Sequence, residues 1–373
     1  MTTDSPFGET VQFLVSAPRT VAFPLYLRVP RWCDGVRLEV NGQPVEVKAN
    51  PSSFIVIQRA WADGDNITLQ LPMRVTVRSW ERNKNAVSVD YGPLSFALRI
   101  DERWQRFGAN PDWPEWEVFP ASAWNYGLEL DGQNPAASFQ VVRKPGPVPA
   151  QPFTPDTAPI ELRVKARKIP GWQLDRFNMV GSLQASPARS TEPIETVTLI
   201  PMGAARLRIS AFPTVGSGPD AHEWVAPPKP RPSLFKPTAS HVGGQDTLEA
   251  LDDGIEPASS SDNSIARFTW WDHRGTSEWV QYDLDKPRQV SSVSVYWFDD
   301  TGVGSCRVPQ SWRLLQRQGD NWEAVDTTQP YGVQRDGWNK VEFKPVQTTG
   351  LRLEVQLAPG YSSGILEWKV TGE

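Results

Sequence analysis

The chain has 373 residues, with 38 Lys and Arg against 43 Asp and Glu, a net charge of -5 and 3 His. No apolar run approaches the ~20 residues of a membrane helix, and mild acidity with scattered positive charge argues against a nucleic-acid binder. The 35 Pro exclude a coiled coil or helical bundle, because Pro inside a helix costs about 3 kcal/mol, while 17 Trp, 15 Phe and 7 Tyr provide core material that disordered chains lack.

Strand patterns run through nearly the whole sequence. Residues 10–30, TVQFLVSAPRTVAFPLYLRVP, contain period-two stretches such as Leu25, Leu27, Val29. In VRLEVNGQPVEV (36–47) two alternating runs flank Asn41-Gly42, a hairpin signal because both residues tolerate positive φ. FIVIQRAW (54–61), the turn ADGD and NITLQLPMRVTVRSW (66–80) continue the pattern. Short strands punctuated by turn residues predict a β-sandwich. From 101 to 160 the texture becomes Pro- and aromatic-rich, as in loops and edge strands. Strand patterns return at 160–169 and 195–212. Residues 214–233 lose periodicity and form the best linker candidate, a Pro-stiffened one. The remaining part, 235–373, opens on a polar, turn-rich stretch. Strand signals follow at 278–284, 290–298, 311–318, 339–346, 351–357 and 365–372, the order of a jelly-roll sandwich.

Cys33 and Cys306 lie far apart and make neither a disulfide framework nor a Cys-rich metal site. The start, MTTDSPFGETVQF, lacks the basic end and apolar core of a signal peptide, so the chain is cytoplasmic or its leader was removed upstream.

LYLRVPRWCDGVRLEVNGQPVEV, WADGDNITLQLPMRV, VDYGPLSFAL, FPASAWNYGLEL, IELRVKARKIPGWQLD and TLIPMGAARLRISAFP occur in this order over about residues 8–215. They resemble the non-catalytic β-sandwich region of bacterial β-L-arabinofuranosidase-type glycoside hydrolases. The resemblance implies a sandwich at 1–100 completed by 195–215, a second Pro- and Trp-rich sandwich inserted at 101–194, and a linker at 216–234. The family's catalytic unit is an upstream (α/α) barrel with a cysteine nucleophile beside zinc. Two isolated Cys cannot supply the four-ligand zinc cluster, so no zinc is expected. The resemblance implies an ancillary, non-catalytic piece of an exported, periplasmic or extracellular, bacterial enzyme of polysaccharide degradation.

ALDDG, WVQYDL, VSSVSVYWFDD and GILEWKV carry a second resemblance. Residues 235–373 are similar to discoidin or coagulation-factor type C modules, with a galactose-binding-like jelly roll. Such modules in bacterial glycosidases often bind carbohydrate. By this resemblance a structural calcium is expected at Asp252 or Asp253 with Glu367, and SSSDN (259–263) is a further source of oxygen ligands. Calcium takes six to eight oxygens, backbone carbonyls included.

Sugar recognition needs an aromatic face and polar groups for the hydroxyls. Trp279, Tyr282, Trp297 and Trp368 lie on strands and are expected in the core. The loop candidates are Trp270, Trp271, His273 and Arg274 in FTWWDHRG, Tyr331, Arg335 and Trp338 in QPYGVQRDGWN, and Tyr361 in APGYSSG. The expected partner is a plant cell-wall glycan containing arabinose or galactose. Two alternatives stand beside this. The sandwiches could brace a catalytic barrel or form a homodimer. Or the chain could be a hydrolase using Asp112, Glu115 and Glu117 near Trp113 and Trp116, with Asp90 nearby. Glycosidic catalysis uses carboxylates about 5 Å apart for retention or roughly 6.5–9.5 Å for inversion.

Overall fold

The computed structural model describes residues 1–108, 110–175, 179–228 and 231–372. The protein is all-β, and helical structure among the described residues is confined to short 3-10 turns. The chain divides into two compact units, Met1–Gln173 with Gly181–Ala226, and Leu174–Val180 with Pro227–Glu373.

The first unit begins with a small sandwich. Its five-stranded sheet has the order Thr2–Thr3, Thr10–Leu14, Asn66–Gln70, Arg37–Val40, Gln43–Val45. A second layer pairs Val21–Val29 with Ser53–Trp61. Leu27, Val29, Ile55 and Trp61 from the strand pair meet Leu38, Val40, Ile67 and Leu69 from the sheet in one core. The hairpin at Asn41-Gly42 forms as expected, with φ of 53° and 75° at its two residues.

The run 66–80 is split. Pro72 has no amide to give a ladder, and the halves Asn66–Gln70 and Val75–Trp80 enter different sheets. The second sheet has the order Tyr126–Leu128, Ile160–Lys168, Glu195–Pro201, Leu94–Leu98, Ala86–Tyr91, Val75–Trp80, with Phe139–Arg143 also on Ile160–Lys168. The strand 195–201 therefore returns to 94–98, but in a sheet it shares with 126–128, 139–143 and 160–168. The hairpin Glu102–Phe107/Glu115–Pro120 forms a two-stranded sheet of its own. The expected linker also begins later than 216. Ala221 and Trp224 are buried, and His222 bridges to Ala188.

The second unit is an antiparallel assembly in the order Phe268–Thr269, Gly364–Thr371, Ser277–Phe298, Trp338–Gln356, Ser311–Gln318, Asn321–Ala324, with Lys236–Ala239 also on Ser277–Phe298. The signals at 278–284 and 290–298 belong to one long strand, with a register shift between Asp283 and Arg288 at the exposed DKPRQ corner. The core collects Phe268, Trp270, Tyr282, Trp297 and Trp368. Tyr282 stacks on Trp368 at 4.0 Å and donates its hydroxyl to the carbonyl of Leu251 at 2.8 Å.

Candidate functional site

Loops at one end of the second unit enclose a cavity of about 810 Å³, lined by His241, Asp246, Arg267, Trp271, Asp272 and Asp300 among others. This falls in the 300–1,000 Å³ range of small-ligand sites. Successive residues of an extended chain point to opposite faces. Phe268 and Trp270 therefore pack together inside, edge to face at 4.8 Å, while Trp271 emerges at the cavity wall, 38% exposed. The Arg274 guanidinium lies 4.5 Å from the centre of the Trp271 ring.

The polar lining is tied down. Arg267 Nε donates to Asp246 Oδ1 at 3.0 Å, and the Thr269 hydroxyl donates to Asp246 Oδ2. His241 Nε2 meets the carbonyl oxygen of Trp271 at 2.9 Å, and its ring stacks on His273 at 4.0 Å. His273 Nδ1 is 2.7 Å from Glu278 Oε1. Burial pushes the Glu278 carboxyl up, but hydrogen bonds from Ser240, Thr276 and His273 outweigh it and hold the group below the usual carboxylate range. Asp272 is the freest charge, its side chain 79% exposed and 3.9 Å from His241. An indole beside fixed donors and acceptors is suited to a sugar ring.

Trp270, Tyr331, Arg335, Trp338 and Tyr361 are not part of this cavity's lining. Trp270 is fully buried, so it is core and not a ligand surface. Tyr331 packs on Trp312, and Trp338 packs edge-on against Tyr296 with Lys369 over its ring. Arg335 reaches Asp299 at 3.7 Å and Asp336 at 3.6 Å. Tyr361 is 40% exposed with Arg307 over its ring, and its carbonyl accepts from the amide of Gly275. His241, Asp246, Arg267 and Asp300 escaped the sequence reading. The polar stretch SHVGGQD (240–246) was the available signal for the first two. Tyr282, Trp297 and Trp368 are core as expected, whereas Trp279 is only half-buried. Asp112, Glu115 and Glu117 lie exposed on and beside the 102–120 hairpin, and Asp90 accepts from the Ser95 hydroxyl.

Asp252, Asp253 and Glu367 are nearly or wholly inaccessible to solvent. Asp252 is already satisfied by Arg231 and by the amide of Leu234. Asp253 Oδ1 accepts from the amide of Ile255, across the turn at Gly254 with φ of 77°. Asp253 Oδ2 and both Glu367 oxygens have no well-formed hydrogen bond. Around them are each other, the amide of Gly254, the Asp252 carboxylate and the Arg231 guanidinium. Burial, with Asp253 and Asp252 beside it, pushes Glu367 up to about 8. Orphaned buried carboxylate oxygens fit a calcium ion, which would use Asp253 and Glu367 and leave Asp252 to Arg231. Among the described residues no three His, Cys, Asp or Glu side chains gather at metal-binding spacing, so backbone carbonyls would complete the shell. The 259–263 loop bonds elsewhere, through Ser260 to Asp336.

Residues 1–73 match the family described as "Beta-L-arabinofuranosidase, GH127 middle domain". Among solved structures, the chain is similar to the GH127 β-L-arabinofuranosidase Ara127N from Geobacillus stearothermophilus T6. That match has 22% identity, covers 54% of this chain and 27% of that one, and has a TM-score of 0.35. It is also similar to a structure of the Streptococcus pneumoniae β-galactosidase BgaA, with 18% identity, 38% and 94% coverage, and a TM-score of 0.34. A family 32 carbohydrate-binding module of C. perfringens NanJ, solved with galactose, matches at 16% identity, 37% and 93% coverage, and a TM-score of 0.30. The chain thus spans about a quarter of the Geobacillus enzyme's length, and its first 73 residues are similar to the middle domain of the GH127 β-L-arabinofuranosidases.

Proposed function

We propose that this chain is a non-catalytic ancillary region of a plant-polysaccharide-degrading glycoside hydrolase, and that its C-terminal unit binds glycan in the loop cavity. The observation that carries the reading is Trp271, half-exposed on the wall of a cavity that also holds the Asp246–Arg267 pair, His241 and Asp272. The similarity of residues 1–73 to a GH127 middle domain supports the enzymatic context, and the proposed ligand class is a galactose- or arabinose-containing glycan. A calcium ion held by Asp253 and Glu367 belongs to the same unit. On this reading the parent protein acts outside the cell, where such a glycan lies.

Affinity electrophoresis in arabinan, arabinogalactan, galactan and xylan tests this. Wild-type chain is expected to be retarded by at least one of them. Trp271→Ala is expected to weaken retention roughly two- to tenfold, since an aromatic contact contributes on the order of 0.5–1.5 kcal/mol. Equal mobility of wild type and variant in every gel overturns the reading.

One surface favours the bracing alternative. Tyr26, Phe54 and Val56 are each more than half exposed on the strand pair Val21–Val29/Ser53–Trp61, with Tyr26 directly opposite Val56. Contiguous exposed apolar side chains mark packing surfaces. Co-expression with a barrel encoded immediately upstream would yield a stable complex on this reading, and Tyr26→Glu with Phe54→Glu would dissolve it.

A further inference from the structure

The second unit holds another cavity, of about 410 Å³, on a sheet face. It is lined by Ser277, Trp279, Ser311, Arg313, Glu354 and Gln356, with the backbone around them. The strand register explains the grouping. Ser277, Gln356 and Ser311 form one cross-strand row, and Trp279, Glu354 and Arg313 form the next. All six are on the face opposite the buried Val280, Leu353 and Leu314, by the two-residue alternation of strands.

A solvated sheet face has no need of a tryptophan. Here the indole is held in place from one side. The Arg352 guanidinium sits 4.6 Å from the Trp279 ring and 4.4 Å from Trp322. Gln281, itself buried, fixes Arg352 by accepting from Nε at 3.0 Å and Nη2 at 2.6 Å. Beside the ring, Arg313 and Glu354 are joined at 2.7 Å. Gln356 accepts from the Ser277 hydroxyl at 2.6 Å and donates to the carbonyl of Gly275 at 3.0 Å. A pre-set indole flanked by a guanidinium, a carboxylate, an amide and hydroxyls has the composition of a sugar subsite.

The groove is tied to the loop cavity by one stretch of chain. One segment, 271–279, provides Trp271 and Asp272 to the cavity and Ser277 and Trp279 to the groove. Eight residues of chain span at most ~28 Å, and this segment is folded back by the His273–Glu278 contact at 2.7 Å. His241 of the cavity also adjoins Ser240, whose amide bonds the carbonyl of Trp279 at 3.0 Å.

We propose that the Trp279 groove is a second subsite for the glycan bound at Trp271, so that the unit takes several consecutive sugars of one polysaccharide chain rather than a single sugar. This rests on the glycan reading above. Two linked contacts raise affinity because the second forms at high effective concentration.

The test is calorimetric titration of the full chain with galactose to β-1,4-galactohexaose and with arabinose to α-1,5-arabinohexaose. Affinity is expected to rise about tenfold or more from monosaccharide to hexasaccharide in one of the two series. In Trp279→Ala, and in the exposed-site variant Arg313→Ala, which keeps the core intact, the ratio of hexasaccharide to monosaccharide affinity is expected to collapse toward one. In Trp271→Ala all affinities fall. Wild-type affinity independent of chain length, or an unchanged ratio in Arg313→Ala and a folded Trp279→Ala, overturns the second subsite while leaving the loop site standing. Absence of binding to every probe overturns the groove, and where no polysaccharide gel retards the chain either, the glycan reading falls with it.

Discussion

Millimolar calcium is expected to raise the melting temperature of the C-terminal unit by roughly 5–10 °C at pH 8, and EDTA to reverse the gain. The expectation starts from three oxygens, Asp253 Oδ2 and the Glu367 pair, which lie buried without well-formed hydrogen bonds. A buried unsatisfied polar atom costs on the order of 1–3 kcal/mol, more when charged. A ligand at 100 times its Kd stabilises by about 2.7 kcal/mol, and for a domain of this size each kcal/mol moves the midpoint by roughly 2–4 °C.

The pH dependence has a definite sign. Glu367 ionises near 8 in the folded state, against an ordinary value of 4.5. Between those values the folded state holds a proton that the unfolded state has released, so stability without calcium declines as pH rises from about 4.5 to 8. Calcium replaces that proton. Its stabilising effect is therefore small at pH 5 and grows toward pH 8. Glu367→Gln mimics the protonated group in shape and charge, and is expected to lose the calcium response and to flatten the pH slope, the remainder coming from Asp253, which burial also pushes up. Magnesium, which prefers a tighter octahedral shell, is expected to do little. A melting temperature at pH 8 that moves by less than about 1 °C with calcium would falsify the site.

The strand pattern was largely legible because period-two burial governs both sheets and core. The same rule puts Phe268 and Trp270 on one face, and Trp271 opens the turn that follows. Glu367 was singled out only through the resemblance of GILEWKV to the discoidin-type modules, and its burial among residues 364–368 came from the fold. The sheet membership of 75–98 was harder to read, because Pro72 looks like one more punctuation mark and only the fold shows that the chain changes sheets there. The loop cavity was half legible. Its Trp-Trp segment stands out in composition, but Asp246 meets Arg267, and Asp300 joins them, only through sandwich closure. Tyr331 and Trp338 misled for the opposite reason. A turn-rich stretch marks a loop without saying that its aromatics fold back onto Trp312 and Tyr296.

The segment 214–226 is where composition misleads most, and its anchor makes the second large prediction. Gly, Pro and charged residues gave it the texture of a spacer, yet Trp224 is inserted into the N-terminal unit. Its ring meets Trp172 edge-on at 5.6 Å, Trp172 meets Trp124 at 5.2 Å, and its Nε1 donates to the carbonyl of Ala185 at 2.8 Å. Trp224→Ala is expected to destabilise the unit by about 3–5 kcal/mol, the usual cost of deleting a buried indole. The lost hydrogen bond also leaves the Ala185 carbonyl without its side-chain donor. Gly171 gives a variant that removes no aromatic group. A methyl there would lie 2.1 Å from the Trp224 carbonyl oxygen, a backbone atom that can yield only if the segment moves with it. Gly171→Ala is therefore expected to loosen the same segment by pushing residue 224 outward. Both variants should be cut by protease within 214–226, and their amides there should exchange with solvent faster, under conditions where the wild type resists. A true spacer would be cut in the wild type at the same rate, and that result would return the segment to the linker its composition suggests.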